Sequence, residues 1–161
     1  MFNVVLYSPQ IPQNTGNIAR LCAATNCKLH LVRPLGFRID DYGLKRAGLD
    51  YWEYVNLVIH ESFDAFLEQI KDNKFYLISK RGHSLWSEIN YNVGDFFIFG
   101  NETQGLPEDF LRLNADKTVR IPHLSSDVRS LNLALSVGVI VYEAIRKNFN
   151  LFQEKTIGER F

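Results

Sequence analysis

The chain has 161 residues, 46% of them hydrophobic and 22% charged, with 18 basic side chains balancing 18 acidic ones. That length and apolar content predict one domain over residues 1–161 that buries its own core, and they exclude collagen-like, disulfide-framed and disordered classes. A formal net charge of zero excludes a surface that attracts polyanions as a whole, so any nucleic-acid contact has to come from a local basic patch.

In chain order, the apolar run Asn3–Tyr7 predicts a first strand. A polar stretch follows and feeds a helix over Gly16–Asn26, where Ile18, Leu21, Cys22 and Thr25 share one face and Asn17 and Arg20 another. Further strands are predicted at Leu29–Val32, Leu57–His60, Phe75–Ser79, Phe96–Phe99 and Thr118–Ile121. Between them, Ser62 caps a helix carrying Phe63, Phe66, Leu67 and Ile70, and Pro107 starts a short helix reaching Asn114. Ser130 opens the last and longest helix, which runs to about Asn148 and is apolar nearly all round. Several strands are apolar throughout, the pattern of strands covered on both sides. The expected fold is therefore α/β, an open and mostly parallel sheet with helices on both faces.

The same reading narrows the class of protein. Leu131–Ile145 is interrupted by Asn132, Ser136 and Glu143 and is too short to span a bilayer, so no membrane role is expected. The start MFNVVLYSPQ lacks the basic and apolar regions of a secretory signal, which predicts a cytoplasmic protein. Cys22 and Cys27 supply too few ligands for zinc, and His30, His60, His83 and His123 lack metal-ligand spacing, so no metal is expected. Neither G-x-G-x-x-G nor G-x-x-x-x-G-K-[ST] occurs, and no G-x-S-x-G elbow is present.

Three strand-to-helix stretches hold the candidate chemistry. The first, Pro9 to Arg20, packs amides and a glycine ahead of one arginine. Either an N-capped helix with a solvated Arg20 or a ligand site using Asn14, Asn17 and Arg20 accounts for it. The second, Phe96 to Pro107, ends an apolar strand in a loop where Gly100 and Gly105 flank Glu102. Ligands of open α/β sheets bind at such strand ends, and glycine allows close backbone approach. The third, Val119 to Asn132, leads into the last helix, whose first N–H groups favour an anion near Ser130 to Asn132. The excess of apolar surface on that helix points either to deep burial or to a homodimer interface.

Taken together, L-Y-S-P-Q-I-P-Q-N-T-G-N-I-A-R-L-C at the start, R-A-G-L-D-Y at Arg46–Tyr51, the Gly100–Gly105 loop and R-S-L-N-L at Arg129–Leu133 resemble the SPOUT superfamily of RNA methyltransferases, and most closely its minimal single-domain members. The resemblance covers nearly the whole chain. It implies a C-terminal trefoil knot and S-adenosylmethionine-dependent methylation of the ribose 2′-hydroxyl of the wobble cytidine or uridine of tRNA. Ribosomal RNA as the substrate, or a non-catalytic module that binds RNA or an adenine ligand, are the alternatives. The implied active-site positions are Arg20, Asn14, Glu102, Ser130 and Asn132. Those implied for the cofactor are Leu77, Gly100, Gly105, Ile121, Ser130 and Leu131. Two residues depart from the pattern, Asn101 standing where relatives usually have Pro and His123 where they usually have Met. Lys45, Arg46, Lys80, Arg81 and Arg112 are the candidate RNA contacts. A minimal chain needs two subunits to build a tRNA surface, and Tyr142 is the expected interface residue.

Overall fold

The computed structural model describes residues 1–39, 52–125 and 127–152. Among these residues seven strands form one sheet: β1 (Asn3–Tyr7), β2 (Lys28–Val32), β3 (Asn56–His60), β4 (Phe75–Ile78), β5 (Ser84–Leu85), β6 (Phe96–Phe99) and β7 (Thr118–Arg120). Their order is β3-β2-β1-β6-β4-β7-β5, and every neighbouring pair is parallel. Among the described residues four α-helices accompany them: α1 (Pro12–Thr25), α2 (Phe63–Gln69), α3 (Glu108–Leu113) and α4 (Leu133–Lys147).

Strand alternation distributes the side chains to two cores. Val4 and Leu6 of β1, Leu29 and Leu31 of β2, and Phe97 and Phe99 of β6 pack with Ile18 and Cys22 of α1 and Val137, Ile140 and Val141 of α4. Val5, Val32, Leu77, Phe96 and Ile98 face the other way, onto Phe66 of α2 and Phe110 and Leu111 of α3. Helices thus cover both faces, as the doubly apolar strands predict.

Two helix starts differ from expectation, each for a local reason. Helix α1 begins at Pro12, with the proline in its first turn, so Gln13, Asn14 and Thr15 lie inside the helix; proline's fixed φ starts the helix where the amides suggest a loop. Helix α4 is capped by Asn132, not Ser130: the Asn132 Oδ1 accepts from the amides of Ala134 and Leu135 at 2.8 and 3.3 Å. Helix α4 is also not covered all round, since Val137, Ile140, Val141 and Ala144 are buried while Leu135 and Tyr142 stand exposed. The two-residue strand β5 is too short to leave a periodic signal. Ser62 caps α2 as expected, its Oγ accepting from Ala65 N at 3.1 Å.

One topological detail matters later. β7 lies between β4 and β5, two strands that precede it in sequence, so the connection 79–83 must cross it. Gly82 sits directly on the backbone of Val119 and Arg120. Ser79 N donates to Val119 O at 2.9 Å, and the Arg120 guanidinium donates to the carbonyls of Gly82 and His83 at 2.9 and 2.6 Å.

The α2 side of the sheet also buries a histidine pair. His30 Nδ1 lies 2.9 Å from His60 Nε2, and His30 Nε2 lies 3.2 Å from Asn3 Oδ1. The Asn3 amide nitrogen donates to Gly94 O at 2.9 Å, which leaves Oδ1 as the acceptor. His30 therefore carries its proton on Nε2 and accepts at Nδ1 from His60. Both rings are buried and pack on Phe66, with Phe96 also against His30. Burial, the neighbouring His60 and Lys28 push the His30 pKa down to about 4, and burial lowers that of His60. A depressed native pKa means that the unfolded chain binds the proton first, so stability is complete above about pH 6.5 and falls as the pH drops toward 4. A loss on the order of 3 kcal/mol from His30 is expected across that window. Urea unfolding at pH 7.5, 6 and 4.5 measures it, and the decline should be shallower in a His30→Leu chain.

Candidate active site

The chain order reverses between β1 and β6, with β2 and β3 on one side and β4, β7 and β5 on the other. In open α/β sheets a crevice forms beyond the strand ends at such a point. Here it is a cleft of about 1210 Å³ at the carboxyl ends of β4, β6 and β7, bounded by the starts of α1 and α4. That exceeds the roughly 300–1,000 Å³ of most small-molecule sites, so the cleft has room for a cofactor and part of a second substrate.

Three separated segments are held together at its edge by one hydrogen-bonded string. Glu102, in the loop after β6, accepts from Gln10 N at 2.9 Å through Oε2, and from Ile11 N at 3.2 Å and the Asn14 amide nitrogen at 3.0 Å through Oε1. The Asn14 Oδ1 in turn accepts from the Asn132 amide nitrogen at 2.9 Å, and the Asn132 Oδ1 caps α4. Each amide can donate on one side and accept on the other, so Asn14 and Asn132 relay the string from a carboxylate to a helix terminus. Both Glu102 oxygens are engaged in this way, which makes the carboxylate a clamp between the first and second segments.

The second segment closes on itself. Gly105 N donates to Asn101 O at 3.1 Å, and Gly105 has a φ of +75°, in the left-handed region. A Cβ on Gly100 would lie 2.1 Å from Gly105 C and 2.2 Å from Leu106 N. The pair of glycines therefore lets the loop fold flat, with its backbone forming a cleft wall.

Of the cofactor positions implied by the resemblance, Gly100, Gly105, Ile121, Ser130 and Leu131 line the cleft. Leu77 does not: it is fully buried in the core under α2, and the next residue, Ile78, reaches the cleft because strand alternation turns it the other way. Asn14, Glu102, Ser130 and Asn132 also line it, whereas Arg20 stands exposed two turns into α1, outside the lining. Asn132 and Asn17 both line a second, shallower groove between α1 and α4. Asn17 lies one turn before Arg20 on the same exposed face.

Lys80, Arg81 and Arg112 lie on the cleft rim. The Arg81 guanidinium is 3.6 Å from Glu108 and that of Arg112 is 2.9 Å from Asp109, all four strongly exposed. Such pairs are worth little in water and yield readily to a competing phosphate. Lys45 and Arg46 fall outside the described residues. The sequence reading missed Ile11, Ser79, Leu106 and Ser136 as lining residues. Each flanks a strand end or helix start, a position that becomes a wall only after the sheet order is known. Among the described residues there is no cluster of metal-ligating side chains, and no helix is long and apolar enough to cross a membrane.

Comparison with known proteins agrees with this geometry. Residues 1–142 match the model of the SpoU rRNA methylase family. A protein of Bacillus subtilis strain 168 is 53% identical over 148 residues, covering 90% of this chain and 92% of its own. The tRNA (cytidine(34)-2′-O)-methyltransferase of Saccharophagus degradans is 47% identical over 148 residues, covering 91% and 96%. A solved structure described as giving structural insights into the 2-OH methylation of C/U34 on tRNA superposes with a TM-score of 0.88 at 48% identity, covering 93% of this chain and 97% of that one.

Proposed function

The chain belongs to the SpoU rRNA methylase family, and from that premise we propose that it is an S-adenosylmethionine-dependent tRNA methyltransferase acting on the ribose 2′-hydroxyl of the wobble cytidine or uridine. The observation that carries the reading is the string Glu102–Asn14–Asn132, which gathers the three motif segments around one cleft at the strand ends. Nucleoside mass spectrometry of tRNA incubated with the protein and S-adenosylmethionine tests it. One new 2′-O-methyl nucleoside at the first anticodon position is expected, and its absence, or the same mark appearing only on ribosomal RNA, overturns the reading.

The residues present fit the cofactor. Gly100 packs against the backbone of Gly105 and Leu106, and a Cβ on Gly105 would meet nothing within 4 Å, so the loop leaves open main chain at Gly105, which suits a ligand read by its edges through main-chain groups. Gly100, Gly105, Ile121 and Leu131 would hold it, with Ser130 beside them. When bound, S-adenosylmethionine supplies an electrophilic methyl on sulfonium. The chain's own contribution is positioning and charge. Asn14, Glu102 and Asn132 fix the cleft walls relative to each other. A guanidinium is already protonated at neutral pH, so Arg20 is a poor acceptor for the ribose proton, which passes to phosphate or water. Its fork instead grips the substrate phosphate and stabilises charge developing on the 2′-oxygen. Lys80, Arg81 and Arg112 supply the local basic patch for tRNA.

The protein acts as a homodimer through α1 and α4. Leu135, Val139 and Tyr142 are exposed on α4, and the groove beside them has a volume of about 700 Å³ with Leu21, Ala134 and Gly138 in its lining. An apolar face of this kind is what a self-complementary two-fold interface covers. A Tyr142→Asp chain is expected to sediment as a monomer at micromolar concentration, where the unaltered protein sediments with the mass of two chains.

A further inference from the structure

Of the groups lining the cleft, Asn101 has a set of bonds that the reaction itself does not call for. Its side-chain oxygen accepts from Gln104 N at 2.6 Å, from Thr103 N at 3.1 Å and from Thr103 Oγ1 at 3.1 Å. Its main-chain oxygen accepts from Gly105 N. One residue thus closes the whole loop from Asn101 to Gly105, and Glu102, the next residue, is carried on it. The three donors that Glu102 engages belong to a segment about ninety residues earlier. A carboxylate on a slack loop would meet them only part of the time, because ordering the loop costs conformational entropy at each encounter. With the loop already closed, that entropy is lost in folding and not in catalysis.

We infer that Asn101 is a positioning residue for methyl transfer: its side-chain oxygen sets the loop so that Glu102 clamps Gln10, Ile11 and Asn14 against the start of α4. The inference rests on the function proposed above, and deepens it by assigning a residue that acts through Glu102. What matters chemically is an acceptor at this position, not the amide. Aspartate keeps that acceptor and alanine removes it.

The test compares Asn101→Ala, Asn101→Asp, Glu102→Gln and the double variant Asn101→Ala/Glu102→Gln in the full chain. Alanine at position 101 is expected to lower kcat on tRNA by roughly tenfold or more, with the thermal midpoint nearly unchanged because the lost bonds are exposed. Aspartate should restore kcat to within about threefold, since its carboxylate accepts from the same donors. The double variant should be little worse than Glu102→Gln alone, because residues acting in series are not additive. Additive losses, or an aspartate variant as impaired as the alanine one, overturn the inference. Amide chemical shifts decide the coupling without any turnover: the Gln10 and Ile11 amides should shift in Asn101→Ala, and unchanged amides there overturn it as well. An unaltered protein that methylates no tRNA overturns the function, while the amide shifts still report whether the loop governs the clamp.

Discussion

Replacing Arg20 with alanine is expected to lower kcat for tRNA methylation by about 100-fold or more, the scale of losing one charge-stabilising donor at a reacting oxygen. The affinity for S-adenosylmethionine should stay within about twofold, because a contact made only with the substrate or in the transition state leaves the other ligand's binding untouched. The structure separates the two effects in space. The cofactor positions line the cleft, and Arg20 lies on the exposed face of α1 outside it. Lysine is a poor substitute at such a site, since it offers a point charge where a planar fork is needed. Calorimetric titration with S-adenosylmethionine together with single-turnover methylation of tRNA measures both quantities. A parallel fall in affinity would place Arg20 in the cofactor site, and full activity would remove it from the mechanism.

Gly100→Ala should have the opposite signature. The added methyl would meet the backbone of Gly105 and Leu106 at 2.1–2.5 Å, and main-chain atoms cannot swing aside as a side-chain end can. Either the loop opens or β6 is displaced at its end, where Phe99 is buried in the α1/α4 core. Opening the loop removes the wall that Gly100 and Gly105 form and lifts Glu102 off its three donors. Cofactor binding should be lost altogether, and stability should fall by roughly 3 kcal/mol, at the upper end for overpacking. Denaturant unfolding and the same calorimetric titration read the two effects. A stable variant that still binds S-adenosylmethionine would show that the loop wall is not part of the site.

Much of this architecture is legible before any coordinates. Val4, Val5 and Leu6 in succession announce a strand covered on both faces, and the structure sends alternate residues to different cores. Ser62 is readable as a cap because its bond is local. Ser130 misleads because Asn132 is equally able to cap and also reaches Asn14, 118 positions away, a bond that no local pattern encodes. Leu77 is implied by the resemblance alone; its side chain turns into the core while that of Ile78 reaches the cleft, a choice of face that the all-apolar run Phe75–Ile78 does not encode. The clamp role of Glu102 is equally hidden, since its partners come from the first segment of the chain. Motif order pointed to loops that the packed sheet brings to one cleft, and only that packing shows which of their atoms meet.

The placement of β7 between β4 and β5 bears on how the molecule is assembled at all. Its two flanking strands are synthesised some thirty to forty residues earlier, yet they cannot settle side by side without leaving a slot for it. The strap 79–83 is held by Arg120 through the carbonyls of Gly82 and His83, so it cannot be fixed in place before residues 118–120 are seated beside it. Such late, non-local closure makes folding slow. It also means that the cleft, two of whose strands, β4 and β7, meet at that crossing, is completed near the end of the process, so a chain with β7 not yet seated is one that cannot yet hold a methyl donor.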